Sequence, residues 1–147
     1  MNRIHILLVE DNEGDIILTK EAFEESEINN SLSVVKNGID ALDYVFKRGK
    51  FMESESPELI LLDLNLPKKN GFEVLEILKS SDKTRHIPII ILSTTSSQRD
   101  VNLAYHYQAN CFLSKPLEID DFMEMIHAIE YFWMSLVKFP NKNILAQ

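Results

Sequence analysis

Leu59-Ile60-Leu61-Leu62-Asp63 is a run of branched aliphatics closed by one carboxylate, and it leaves through Leu64-Asn65-Leu66-Pro67. Bounded by Pro57 and Pro67, an apolar run this short reads as a strand buried on both faces. An acid at its end lies at the carboxyl edge of a sheet, where open α/β folds place their ligands. A second run, Ile6-Leu7-Leu8-Val9, also ends in acids, Glu10-Asp11. Two such strands imply a site that concentrates negative charge.

Outward from these runs the pattern alternates throughout. Strands are expected near Ile4–Val9, Leu32–Val35, Leu59–Asp63, Ile89–Ser93 and Cys111–Ser114. Amphipathic helices are expected near Asp15–Glu25, Ile39–Lys47, Phe72–Lys79, Arg99–Tyr107 and Ile119–Val137. Breakers stand at the joints: Gly38, Gly49, Pro57, Pro67, Gly71, Pro88 and Pro116. Purely aliphatic strands alternating with helices predict a parallel sheet covered on both faces, an α/β fold. Lys47–Glu58, rich in Glu and Ser, reads as a solvated loop.

With 147 residues the chain fits one domain, and one of this size buries roughly 70% of its unfolded surface without disulfide or structural metal. The single Cys111 flanks an apolar stretch and reads as an inert thiol. One cysteine and no signal peptide point to the cytoplasm. No apolar run approaches the ~20 residues of a membrane span. The net charge of −8 argues against a broad nucleic-acid surface and suits protein partners or cations. Ile119, Phe122, Ile126, Ile129, Trp133 and Leu136 recur at steps of three and four, predicting one long final helix. Met123, Met125, Tyr131, Phe132 and Met134 widen its apolar surface. That surface is either a broad core face or a protein contact. At ~1.5 Å per residue, Glu118–Val137 would extend about 30 Å, past the sheet.

Clustered carboxylates raise one another's pKa unless a cation neutralises them. Glu10, Asp11 and Asp63, with neither His nor Cys among them, suit a hard divalent ion such as Mg2+, and Asn65 could add its backbone carbonyl. Ser93 ends the fourth aliphatic run and opens the hydroxyl-rich turn Thr94-Thr95-Ser96-Ser97; Lys115 ends the fifth and precedes Pro116. A cation-bound carboxylate, a hydroxyl and an ammonium at one edge can surround a phosphoryl group, with Asp63 as nucleophile.

This order of residues resembles the receiver domain of two-component response regulators. The resemblance rests on Glu10-Asp11, Asp63 followed by Leu66-Pro67 and Gly71, Ser93, and Lys115-Pro116, and spans residues 4 to about 130. It implies a flavodoxin-like, doubly wound sheet of order 2-1-3-4-5 with five helices. It also implies phosphoryl transfer from a sensor histidine kinase or phosphotransfer protein to Asp63. By the same resemblance Asp11, Asp63 and the Asn65 carbonyl bind Mg2+, with Glu10 outside direct coordination. Lys115, Ser93 and Thr94 contact the phosphoryl group, Ser93 and Phe112 form a switch, and the Lys115–Pro116 bond is cis. Leu64–Gly71, the polar insertion before the third strand and Ile129–Trp133 are similar to the single-domain regulators associated with bacterial phytochromes. Some of these dimerise through the fourth helix, fifth strand and fifth helix. Ser93 stands where Thr is commoner in the family, and either supplies a hydroxyl.

The expected organisation is a receiver domain over 1–137 and a tail over 138–147, too short for an output domain. Output would then be a phosphorylation-dependent change of protein contacts, including a homodimer. A haloacid-dehalogenase-like phosphohydrolase is the alternative, but it needs a second carboxylate where Asn65 stands. A flavin module would need a phosphate loop where Glu10-Asp11-Asn12-Glu13 would repel phosphate. A receiver that is never phosphorylated would have lost a site position, and none is lost here.

Overall fold

The computed structural model describes residues 3–95 and 97–140. In chain order the elements are β1 (Ile4–Val9), α1 (Glu13–Glu24), β2 (Asn30–Val35), α2 (Gly38–Phe46), β3 (Leu59–Asp63), α3 (Gly71–Ser80), β4 (Ile89–Ser93), α4 (Gln98–His106), β5 (Cys111–Ser114) and α5 (Ile119–Ile129). A 3-10 turn, Gly49–Phe51, follows α2, and a π-helical segment, Glu130–Leu136, continues α5. All strand pairs are parallel, in the order β2-β1-β3-β4-β5. This is the doubly wound, flavodoxin-like sheet the sequence implied.

The period-two alternation of the central strands divides the interior into two cores. Leu7 and Val9 of β1 and Ile60 and Leu62 of β3 face Leu42, Val45, Val74, Leu75 and Leu78 of α2 and α3. Ile6, Leu8, Leu59 and Leu61 face Ile16 and Phe23 of α1 and Phe122, Ile126 and Ile129 of α5. Four helices start from a side-chain cap just beyond a strand. Asn12, Asn37, Asn70 and Ser97 each accept the backbone N–H three residues on, from Asp15, Asp40, Glu73 and Asp100. Such caps contribute about 1 kcal/mol apiece, and they fix where each helix leaves the carboxyl edge.

The final helix differs from expectation. Its α-helical part stops at Ile129, and Val137 N–H then donates to the Phe132 carbonyl five residues back, at 2.9 Å. A π turn takes an extra residue, so the inward face moves from Ile129 to Glu130 and Met134. Leu136, placed on the buried stripe by a strict 3.6-residue period, is 56% exposed. The Lys47–Glu58 loop is also less solvated than its composition suggests. Phe51 packs on Tyr44 with ring centroids 5.5 Å apart, and Ser54 Oγ donates to the Tyr44 carbonyl at 2.7 Å. At the other end of the chain Phe139 approaches Trp133, with centroids 6.5 Å apart. Of the expected tail, 141–147 lie outside the described residues, as does Ser96.

The amino edge of the sheet holds a buried polar network. His5 Nε2 lies 2.6 Å from Tyr44 Oη and His5 Nδ1 lies 2.7 Å from Ser31 Oγ. Tyr44 Oη donates to Ser33 Oγ at 3.0 Å. The phenol therefore accepts from Nε2–H, leaving Nδ1 to accept from Ser31, which is the neutral imidazole. Burial holds the His5 pKa below its ordinary 6.5.

Candidate functional site

The carboxyl edge gathers the charged residues because all the strands run parallel and β1 lies directly beside β3. β1 pairs with β3, so Glu10, just past Val9, lies beside the end of β3 that carries Asp63. β4 pairs with β5 in a register of Ser93 with Ser114, which sets Lys115 one residue further out. Lys115 N–H donates to the Ser93 carbonyl at 2.7 Å, extending the ladder to the site's rim.

Two glycines shape the loop after β3. A Cβ on Gly71 would lie 2.6 Å from both the Asp63 carbonyl oxygen and Leu64 Cα, and Gly71 N–H donates to the Leu64 carbonyl at 3.0 Å. A Cβ on Gly38, at the start of α2, would come within 1.9 Å of the Lys69 carbonyl oxygen. The chain between them is tight enough to hold Lys68 in the left-handed region, φ 68°. Both contacts are possible only without a side chain.

Carboxylate oxygens of Glu10, Asp11 and Asp63 lie within 4.8 Å of one another. Glu10 and Asp63 are buried, while Asp11 is open to solvent. Glu10 Oε2 accepts from the backbone of Asp11 and Asn12, each at 3.2 Å. Asp63 Oδ1 accepts from Asn65 N–H at 3.1 Å. The Lys115 ammonium, itself buried, reaches Glu10 Oε1, Asp15 Oδ2 at 3.0 Å and Asp63 Oδ2 at 3.3 Å. Burial alone would depress the lysine's pKa, but the bond to Glu10, the charges of Glu10 and Asp63 and the bond to Asp15 hold it above the ordinary range. Burial and then Asp63 push the Glu10 carboxyl up to about 7 against the pull of Lys115. Burial aside, one imbalance works on both groups: a single ammonium faces four carboxylates. The surplus negative charge, presented by oxygen donors alone, fits a hard divalent cation.

Among the expected residues, the structure brings Glu10, Asp11, Asp63 and Lys115 together. Ser93 is fully buried at the tip of β4, with its Oγ 3.1 Å from Thr95 Oγ1 and accepting from Thr95 N–H at 3.2 Å. Thr95 Oγ1 in turn donates to Asp100 at 3.1 Å. Thr94 is exposed, as is Asn65. Phe112 is half-buried against the core of the α2–α3 face, and its N–H donates to Tyr105 Oη at 3.1 Å. One expectation is corrected. No described peptide bond is cis, so Lys115–Pro116 is trans. Trans is the isomer an X–Pro bond favours by about 0.5–1 kcal/mol, and with it the ammonium already reaches its carboxylates. Asp15 was missed by the sequence reading. Its signal was an acid four residues after Asp11, in the first turn of a helix that starts at the site.

A family model described as the response regulator receiver domain matches residues 6–127. The response regulator Rcp1 of Synechocystis sp. is 38% identical over 135 residues, covering 92% of each chain. A crystal structure of the Mn2+-bound form of Rcp1 superposes with a TM-score of 0.92, covering 94% of this chain and 99% of that one. The phosphorylated cyanobacterial phytochrome response regulator RcpA superposes with a TM-score of 0.93 at 36% identity, covering 95% of this chain and 100% of that one. The phosphohydrolase alternative finds no support in these likenesses.

Proposed function

The chain belongs to the response regulator receiver family and is a two-component response regulator, and from that premise we propose that Asp63 is the carboxylate it phosphorylates. Such domains are signalling proteins that take a phosphoryl group from a sensor kinase or other phosphodonor. The observation that carries the assignment is the meeting of Asp63 with the Lys115 ammonium at 3.3 Å inside a cluster of carboxylates. An Asp63 oxygen attacks phosphorus, a P–O or P–N bond to the donor breaks, and the leaving group departs with the bonding pair.

Lys115 neutralises charge on the equatorial oxygens, and the hydroxyls of Ser93 and Thr94 donate to them. Mg2+, when bound, balances the phosphoryl oxygens and the surplus of carboxylates. Asp11, Asp63 and the Asn65 carbonyl would hold it, with Glu10 outside direct coordination. Phosphorylation exchanges one negative charge for nearly two. Ser93 then leaves Thr95 for the phosphoryl group, and Phe112 turns into the space vacated.

The signal leaves through protein contacts on α4, β5 and α5. Tyr105 of α4, Leu117 and Ile119 at the start of α5, and Tyr131, Phe132 and Leu136 of the π-helical segment that continues it are exposed large apolar side chains, the kind of group an interface covers. We assign it to a homodimer, with a sensor histidine kinase or phosphotransfer protein as phosphodonor. Among the described residues no helix is long and apolar enough to cross a membrane. The lone half-buried Cys111, whose thiol burial pushes up, suits the reducing cytoplasm. The test is incubation with acetyl phosphate, with and without Mg2+, read by intact mass. One phosphoryl group gained by the parent only with Mg2+, and none by Asp63→Asn, is expected. Labelling of Asp63→Asn would overturn the assignment.

A further inference from the structure

We propose that Asp15 is a positioning residue for Lys115, the carboxylate that keeps the ammonium beside the site once a divalent cation is drawn to the cluster of Glu10, Asp11 and Asp63. The proposal rests on the assignment of Asp63 and its cation above.

The ammonium has three N–H groups and three carboxylate partners, Glu10, Asp15 and Asp63. Two of these partners belong to the cluster whose oxygens converge within 4.8 Å, and Asp15 does not. A divalent cation drawn to that cluster shares Glu10 and Asp63 with Lys115 and repels it. Asp15 is the one of the three partners that lies outside that cluster. It comes from a different element, the first turn of α1, where the helix dipole favours an anion.

Its backbone is already fixed. Asp15 N–H donates to Asn12 Oδ1 at 2.9 Å, and its carbonyl accepts from Thr19 Oγ1 at 2.7 Å. The side chain is thus free to serve Lys115 alone, and the side chain is 25% exposed, reachable without opening the core. Asp15 offsets the repulsion between two cations in one pocket. The prediction is thermodynamic coupling: Asp15 strengthens cation binding only while Lys115 is present.

The test uses the full chain and titration calorimetry with Mg2+ at constant ionic strength. Asp15→Asn should loosen Mg2+ about five-fold, the size of one partly exposed charge pair, and Asp15→Glu should restore most of that loss. In a Lys115→Met background, Asp15→Asn should change the affinity less than about two-fold, the signature of a pairwise interaction. Equal loosening in both backgrounds would show Asp15 acting on the cation directly and overturn the proposal. No loosening in Asp15→Asn would do the same.

If Lys115→Met does not fold, the 15Nζ ammonium signal of Lys115 decides. It should persist in the Mg2+-loaded parent and vanish in Mg2+-loaded Asp15→Asn, whereas persistence in both would overturn the role. The phosphoryl-acceptor assignment stands or falls separately, on labelling of the parent and Asp63→Asn.

Discussion

β1 carries a buried polar side chain near each end, and the two environments are opposites. His5 is hydrogen-bonded to the uncharged Ser31 and Tyr44, and through Tyr44 to Ser33, with the Glu55 carboxylate further off at 4.0 Å from Nδ1. Glu10, just past the strand, lies among Asp11, Asp63 and Asp15 with, among the described residues, only Lys115 paired to them. A buried polar group that serves architecture finds its partners inside the fold. One that serves chemistry is left with a charge that only an external group can complete. The two ends should therefore respond differently to mutation, metal and acid.

The largest difference is expected from Lys115→Met. Removing one partner of a buried charge cluster costs about 3 kcal/mol, and urea unfolding without metal should show it. Added Mg2+ should recover part of that loss by compensating the carboxylates, and no recovery would break the contrast. Next, Mg2+ at about a hundred times its dissociation constant should stabilise the parent by about 2.7 kcal/mol. The same titration on Asp63→Asn should give a smaller gain.

Tyr44→Phe removes the hydroxyl between His5 and Ser33, at a cost of about 1.5 kcal/mol. Urea unfolding should give the same cost with and without Mg2+, since the amino edge has no share in the cation. The smallest effect is on pH dependence. The His5 pKa is lowered on folding, so the unfolded chain takes up a proton first as pH falls below 6.5. The share of stability that His5 contributes should then fall with acidification from about pH 6.5 to the folded pKa, by at most about 1.4 kcal/mol per pH unit, while Glu10, pushed up to about 7, contributes in the opposite sense over the same range. His5→Gln should flatten that slope in a pH series of unfolding midpoints.

The sequence made β1, β3 and β4 legible because each is a short, largely aliphatic run, and Leu59–Asp63 matches its observed bounds. Glu10, Asp11, Asp63, Ser93 and Lys115 were legible because each stands at or just past the end of such a run. Asp15 was not, since an acid in a helix's first turn looks like any other dipole-favoured anion. Its role depends on where a lysine from β5 comes to rest. His5 depends likewise on the β1–β2 register that sets it opposite Ser31. The π-helical segment was hidden because its extra residue preserves an apolar composition while shifting which residues turn inward. The isomer of Lys115–Pro116 came from resemblance, and the geometry of this chain overrode it.

The ion pair between Glu10 and Lys115 joins residues 105 positions apart in the chain. During synthesis, then, no amino-terminal fragment that lacks β5 carries the complete pocket, however well its first strands have paired. Cation capture of native strength would report that the nascent polypeptide has closed its sheet, so a ribosome-stalled series of increasing length should acquire it only after the lysine has cleared the exit tunnel.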